Sequence, residues 1–340
     1  MTQTFGILAH PTSHSLSPVI HNAGFKALNI DAEYLSFDIP PEKLDDFFQR
    51  VKREKIGLSV SIPHKESVLK YCDELSDAAK AIGAVNTLYW KEGKLIGDNT
   101  DYLGILYPLV KSIKSVKSKS QKANTLSVIP AEAGIHYKGT TMSQLDLWRD
   151  DINNLLQNKN ILILGAGGAA RAAVYACLLA GANVKVLNRT KEKAEKLVED
   201  FENFIASDEL GVCADSVILD SRLRGNDRVN GRNDKHSKLT YGSLNDYSKE
   251  ETDIIIQTTS VGMMSDKSLL NEGDFCEGQI AFDIVYRPRI TQFLKNAQKA
   301  GANIITGDEM FLEQAFSQFY LFTGKEAPQE VMKQSLFACI

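Results

Sequence analysis

The chain is 340 residues long, 43% hydrophobic and 24% charged, with a formal net charge of −4. That length suits two domains, each able to bury its own core, and the composition is that of an ordinary soluble globular protein. The slight acidity excludes a general attraction to nucleic acid or anionic membrane, so a bound anion must be held by local groups. No signal peptide or membrane-spanning run is legible. The five cysteines are scattered without a CxxC and read as reduced thiols of a cytoplasmic protein. No metal is expected, because His10 and His14 merely flank Pro11 in a loop.

In chain order, Phe5 to Ala9 reads as a strand, and a loop from His10 to Pro18 carries Ser13, Ser15 and Ser17. Such hydroxyls can hold a carboxylate, or simply serve turn and capping chemistry. A helix follows from about Pro18, then a strand over Glu33 to Asp38 and an amphipathic helix over Leu44 to Lys52. The alternation of Leu58, Val60 and Ile62 predicts a strand ending at Pro63, where a helix can begin. Lys65 then lies just past a strand end, where open α/β sheets bind ligands, although one lysine is ordinarily a solvated charge. A helix over Asp73 to Ala81 is closed by Gly83, and a hairpin pairs Ala84 to Trp90 with Lys94 to Gly97 around Glu92-Gly93. The turn Gly97-Asp98-Asn99-Thr100-Asp101 feeds a helix over Tyr102 to Val110, with helix capping a competing role for Asp98 and Asp101.

The stretch Lys159 to Thr190 holds a short apolar strand (Ile161 to Leu164), a G-x-G-x-x-A turn, a helix to about Ala180 and a second strand (Val184 to Leu187). That is one βαβ unit in the order of a dinucleotide site. Gly165 allows the tight turn, Gly167 lets the backbone approach a pyrophosphate, and Ala170 lets the helix pack closely. The helix N-terminus, with Gly168 and Ala169, offers unpaired N–H groups. Where an NAD site usually carries Asp or Glu, this chain has Asn188-Arg189-Thr190 followed by Lys191 and Lys193. A guanidinium and nearby ammonium groups attract a 2′-phosphate that a carboxylate would repel, so the coenzyme expected is NADP; the same cations otherwise form a solvated helix start. Asp253 to Gln257 and Ile280 to Val285 are further strands, and Ile304-Ile305-Thr306-Gly307 leads into a helix over Met310 to Gln318.

Ser15-Leu16-Ser17-Pro18, Ser61-Ile62-Pro63-His64-Lys65-Glu66, Gly83-Ala84-Val85-Asn86-Thr87 and Gly97-Asp98-Asn99-Thr100-Asp101 occur in this order ahead of G-A-G-G-A-A and N-R-T. The series resembles the NADP-dependent shikimate dehydrogenase family, whose members reduce 3-dehydroshikimate to shikimate in aromatic amino acid biosynthesis. The resemblance implies an α/β protein with an N-terminal α/β substrate domain and a doubly wound Rossmann domain binding NADP(H), separated by a cleft. It divides the chain into a catalytic domain at 1–110, completed by 308–340, a linker or insertion at 111–158, and a Rossmann domain at 159–307. A monomer or homodimer acting on a small-molecule substrate is expected.

By the same resemblance Lys65 and Asp101 form the catalytic pair. Ser15 and Ser17 bind the substrate carboxylate, and Ser61, Asn86 and Asp101 its ring hydroxyls, with Tyr286 and Gln314 also near substrate. The coenzyme falls to Gly165, Ala166, Gly167, Gly168, Ala169, Asn188, Arg189, Thr190, Lys193, Thr259, Ser260, Gly307 and Met310. Ser59-Val60-Ser61 departs from the more common Asn-Val-Thr, and the shorter Ser59 removes the expectation of a ligand contact there. Ser17 separates the chain from quinate-preferring relatives, which tend to carry threonine. The alternatives are a broader quinate/shikimate dehydrogenase and a non-catalytic NADP-binding relative.

Two stretches fall outside the family pattern, one from Ser112 to about Asn158 and one near 208–238. Both resemble translated palindromic repeat elements, and long surface loops add only slowly growing closure entropy. The Lys/Ser run Lys111 to Lys122 is expected to stay solvated. Arginines of the second stretch interleave with Asp220, Asp227 and Asp234, which argues against RNA binding.

Overall fold

The computed structural model describes residues 2–122, 155–206 and 238–340. It consists of two compact α/β units, Met1–Leu103 with Phe311–Ile340, and Gly104–Met310. Both Ser127 to His136 and nearly all of the stretch near 208–238 lie outside the described residues. No helix among the described residues is long and apolar enough to cross a membrane.

The first unit holds β1 (Gln3–Ala9), α1 (Ser17–Ala27), β2 (Ala32–Asp38), α2 (Leu44–Glu54), β3 (Gly57–Val60), β4 (Glu74–Leu75), α3 (Asp77–Ile82), β5 (Thr87–Lys91) and β6 (Lys94–Asp98). Its sheet runs β2-β1-β3-β5-β6-β4, with β1 parallel to β2 and β3, and β5 antiparallel to both β3 and β6. This register sets Ser59 beside Thr87, and Thr87 beside Asp98. The ends of β1, β3 and β6 and the start of β5 therefore share one edge of the sheet.

Leu44, Phe47, Phe48 and Val51 are the buried face of α2, spaced as one helical stripe, and they pack with Leu58, Val60, Leu88 and Leu95. β3 is buried along its whole length, as a strand covered on both faces must be. The alternation expected through Ile62 therefore does not hold: Ser59 is as buried as its neighbours, and Ile62 lies past the strand with 75% exposure.

Three other elements depart from expectation. No α-helix starts at Pro63; only a short 3-10 turn forms at Ser67–Tyr71. The helix expected from Asp73 begins at Asp77, because Asp73 accepts the Leu95 N–H and draws Glu74–Leu75 into the sheet beside β6. Ser76 then caps α3 by accepting the Ala79 N–H at 3.1 Å. Finally, α4 spans Asp101–Lys122 rather than stopping near Val110. Lysine is a good helix former, so the Lys/Ser run can extend a helix whose earlier turns are buried.

The second unit continues with β7 (Asn160–Leu164), α5 (Gly168–Leu179), β8 (Asn183–Asn188), α6 (Lys191–Ala206), β9 (Leu239–Ser243), β10 (Ile254–Gln257), β11 (Ile280–Asp283), α7 (Gln292–Lys299) and β12 (Asn303–Ile305). The chain ends in α8 (Gly307–Thr323) and α9 (Gln329–Phe337). All six strands are parallel, in the order β12-β11-β10-β7-β8-β9. The chain moves outward from β7 to β9 and then resumes on the other side of β7 at β10. That reversal opens a crevice at the carboxyl ends of β7 and β10, the usual ligand position of a doubly wound sheet.

Candidate active site

At the shared edge of the first sheet, the turn after β6 delivers Asp101 to the start of α4. Asn99 fixes the turn, donating to the Ala84 carbonyl at 2.9 Å while its own oxygen accepts the Asp101 N–H at 3.1 Å. Asp98 caps the same turn by accepting from Ser76 and from the Asn99 N–H. Burial pushes its carboxyl above the ordinary range, and those two donors pull it partly back.

The Asp101 side chain is 2% exposed. One of its oxygens takes the Lys65 ammonium, and the other accepts Asn86 Nδ2 at 2.8 Å. A buried carboxylate is tolerable when paired and hydrogen-bonded in this way. Lys65 has 20% of its side chain in solvent. An ammonium has three protons, so protons remain for a ligand oxygen.

Asn86 is oriented by its neighbours. Its oxygen accepts the Thr100 N–H and the Thr87 hydroxyl, both at 2.7 Å, and its amide nitrogen also reaches Gln314 Oε1 at 3.3 Å. Lys65, Asn86, Asp101 and Gln314 thus form one bonded group. The Gln314 amide nitrogen and the Ser61 hydroxyl have no partner among the described residues, and both side chains are partly exposed. Ser15 lies in the β1–α1 loop and Ser17 opens α1, with Ser15 Oγ accepting the Ser17 N–H at 3.4 Å. Asp38 anchors that loop by accepting His10 Nδ1 at 2.6 Å and the Thr12 N–H at 3.1 Å. These bonds, His10 first, hold its carboxyl below the usual range.

Sequence reasoning did not single out Gln318, which lies one helical turn beyond Gln314 and is buried against Asn86 and Ser59. Its spacing of four residues from Gln314 was the available signal. Tyr34 offered none.

The second sheet presents its candidate residues at the carboxyl ends of its strands. Gly165 closes the turn after β7 at φ +117°, and a Cβ there would meet Thr258 Oγ1 at 2.6 Å. Gly167 is different: a Cβ there would meet nothing within 4 Å. Ala166 leads into it, and Gly168 and Ala169 open α5, whose first N–H groups have no helical acceptors. Ala170, within α5, is fully buried. After β8, Asn188 Nδ2 donates to the Thr190 carbonyl at 2.8 Å, which shapes the turn. Arg189, Thr190 and Lys193 are exposed, and neither cation has an acidic partner among the described residues.

After β10, Gln257 clamps the Thr258–Gly262 loop: its oxygen accepts the Thr259 N–H and its nitrogen donates to the Val261 carbonyl. Thr259 Oγ1 accepts the Val261 N–H, and Ser260 is exposed. After β11, the buried Asp283 accepts the Val285 N–H at 3.0 Å and the Thr291 hydroxyl at 2.6 Å. Burial pushes its carboxyl up to about 7. Tyr286 follows, partly buried, with its phenol raised by the same cause. Gly307 starts α8 so close to this loop that a Cβ would lie 2.5 Å from the Ile284 and Val285 carbonyl oxygens. Met310 is buried one turn on, and the Thr306 hydroxyl is buried with no partner among the described residues.

An open glycine at a helix start and exposed cations without acidic partners among the described residues are features that suit a phosphorylated dinucleotide.

Three family models match the chain: the shikimate dehydrogenase substrate binding domain at residues 7–88, shikimate/quinate 5-dehydrogenase at 148–217, and the shikimate 5′-dehydrogenase C-terminal domain at 307–337. A shikimate dehydrogenase (NADP(+)) of Nitrosopumilus maritimus is 34% identical over 99% of this chain and 98% of its own length. A shikimate dehydrogenase solved in complex with NADP+ is 30% identical with a TM-score of 0.75, covering 99% of this chain and 95% of the other. The enzyme from Thermus thermophilus, solved with NADP(H) and shikimate, is 28% identical with a TM-score of 0.71, covering 99% of this chain and 100% of the other. Matches of this extent and identity make the chain a member of the shikimate dehydrogenase family.

Proposed function

We infer that the chain catalyses the reversible NADP-dependent reduction of 3-dehydroshikimate to shikimate. The observation that carries this reading is the Lys65–Asp101 pair, its carboxylate buried and bonded to Asn86 and its ammonium left with protons to offer. NADPH, when bound, supplies the hydride taken up by the ketone carbon. Lys65 hydrogen-bonds the ketone oxygen, stabilises the negative charge that develops on it and delivers its proton. Asp101 keeps the ammonium in place and compensates its charge. Ser61, Asn86 and Asp101 bind the ring hydroxyls, Gln314 also contacts the substrate, and the Ser15 and Ser17 hydroxyls take the carboxylate. Tyr286 completes the substrate contacts.

On the coenzyme side, Gly165 to Ala169 with the first N–H groups of α5 hold the pyrophosphate. Asn188, Arg189, Thr190 and Lys193 hold the 2′-phosphate, and Thr259, Ser260, Gly307 and Met310 line the nicotinamide end. In this reading residues 1–110 and 308–340 form the substrate part, and 159–307 the coenzyme part. The free cysteines among the described residues suit a cytoplasmic enzyme; it acts as a monomer or homodimer.

The deciding assay follows reduced-nicotinamide absorbance with shikimate or quinate and NADP+ or NAD+. Turnover with shikimate and NADP+ well above the other three combinations is expected. A folded chain that binds NADPH without turning over shikimate would be a non-catalytic relative instead.

A further inference from the structure

Behind the Lys65–Asp101 pair lies a chain of polar side chains that never reaches solvent: Tyr34, Ser59, Gln318, Thr87 and Asn86 are each 4% exposed or less. Each hydroxyl has one proton, and this fixes a direction along the chain. Tyr34 donates to Ser59 Oγ at 2.6 Å, and Ser59 gives its own proton to Gln318 Oε1 at 2.7 Å. With its oxygen engaged, Gln318 turns Nε2 to the Asn86 carbonyl and to Thr87 Oγ1, both at 3.2 Å. Thr87 donates to Asn86 Oδ1 at 2.7 Å, and Asn86 Nδ2 donates to Asp101. Turning the Gln318 amide over would face its oxygen against the Asn86 carbonyl. One continuous path of donors therefore runs from Tyr34 to the Asp101 carboxylate, with Asn86 Nδ2 also reaching Thr100 Oγ1 at 3.0 Å, and such aligned bonds strengthen one another.

Ser59 is the joint of this chain. It sits in β3 and ties Tyr34 of β2 to Gln318 of α8. At 3% exposure, with its hydroxyl both donating and accepting, it is not available to a ligand.

We propose that Ser59 is a positioning residue for the reaction inferred above: its hydroxyl locks the Gln318 amide, and through Thr87 the Asn86 amide, so that Asp101 is held on Lys65. The proposal rests on that reaction. Alanine at this position would leave the buried Tyr34 phenol without an acceptor and Gln318 Oε1 without a donor. Gln318 would then rotate, and the geometry at Asn86 and Asp101 would loosen.

The test is steady-state kinetics of shikimate oxidation for the parent, Ser59→Ala, Ser59→Thr, Tyr34→Phe and the Ser59→Ala/Tyr34→Phe double variant, with melting temperatures alongside. Ser59→Ala should lower kcat about 10-fold while KM for NADP+ stays within about twofold, since small misplacements of a catalytic group cost this much or more. Ser59→Thr keeps the hydroxyl and should return kcat to within about threefold of the parent. Tyr34→Phe should show the same pattern more weakly, and the double variant should be no worse than Ser59→Ala, because both break one chain.

A parent-like kcat in Ser59→Ala, even with a lowered melting temperature, overturns the positioning role alone. So does a Ser59→Thr as impaired as the alanine, or effects that multiply in the double variant. If Ser59→Ala does not fold, an unchanged kcat in Tyr34→Phe overturns the role. A folded parent inactive on shikimate overturns the proposed function and this role with it.

Discussion

At the strand ends of the first unit, both oxygens of Asp101 are already met, by Lys65 and Asn86, and the carboxylate is sealed from water. At the strand ends of the second, Gly167 stands open and Arg189 and Lys193 reach into solvent without acidic partners among the described residues. The first region is assembled from side chains that satisfy one another, so its donors are aimed before substrate arrives. The second is made by leaving things out: side chains at the glycine turn, and counter-charges around the cations. Such a region is completed by the anion it binds. Substitutions should therefore act differently in the two regions.

The largest effect is expected at the prebuilt centre. Lys65→Ala should lower kcat by about 10³-fold, the scale of a lost proton donor, while NADPH binding followed by fluorescence titration stays unchanged. Equal losses in turnover and coenzyme binding would place Lys65 outside the chemistry.

The glycine turn provides a sharper contrast within a few residues. Gly165→Ala forces a Cβ onto Thr258 at a positive φ and should cost roughly 2–3 kcal/mol, read from the urea midpoint. Gly167→Ala meets no protein atom and should leave that midpoint unchanged while weakening NADPH binding about 10-fold, or ~1.4 kcal/mol, through crowding of the bound ligand. A destabilised Gly167→Ala would contradict the open cradle.

Arg189→Asp should cost about 2 kcal/mol of NADPH affinity, the worth of a hydrogen bond to a charged group, and spare NADH. The remaining affinity for NADPH should also respond less to added salt. A parallel loss for both coenzymes would move Arg189 away from the 2′-phosphate.

The two regions also differ in their pH response. Burial raises Asp283 from 3.8 to about 7, so the fold binds a proton that the unfolded chain releases. Its contribution is fully present below pH 3.8 and is lost as pH rises to about 7. Between these limits the urea midpoint of the parent should fall more steeply with pH than that of Asp283→Asn. His21 in the first unit runs the other way, because burial lowers it from 6.5 to about 3. Its contribution is lost as pH falls from 6.5 toward about 3, and His21→Phe should flatten that side. Identical slopes in parent and variant would remove either group from the pH response.

Much of the doubly wound sheet could be read from the chain, because its signals are local. Four consecutive apolar residues, Ile161 to Leu164, make a strand buried on both faces, and Gly165 takes the positive φ that the following turn needs. The hairpin of β5 and β6 was equally legible, with Glu92 and Gly93 both at positive φ in its turn. Elements failed to follow the local pattern where a distant partner intervened. Asp73 was drawn to the sheet by the Leu95 N–H, so a helical pattern yielded two strand residues first.

The sequence by itself determined the class of fold, the place of the glycine turn and the cations beyond β8, since backbone preference and charge are set within a few residues. Tertiary structure alone decided that Ser59 serves the interior, joining Tyr34 to Gln318. Ser59 and Gln318 are 259 positions apart, and neither residue carries a local mark of the other. A hydrogen bond's partner and direction depend on which donors and acceptors are buried together, and that is fixed only when the sheet and α8 have packed.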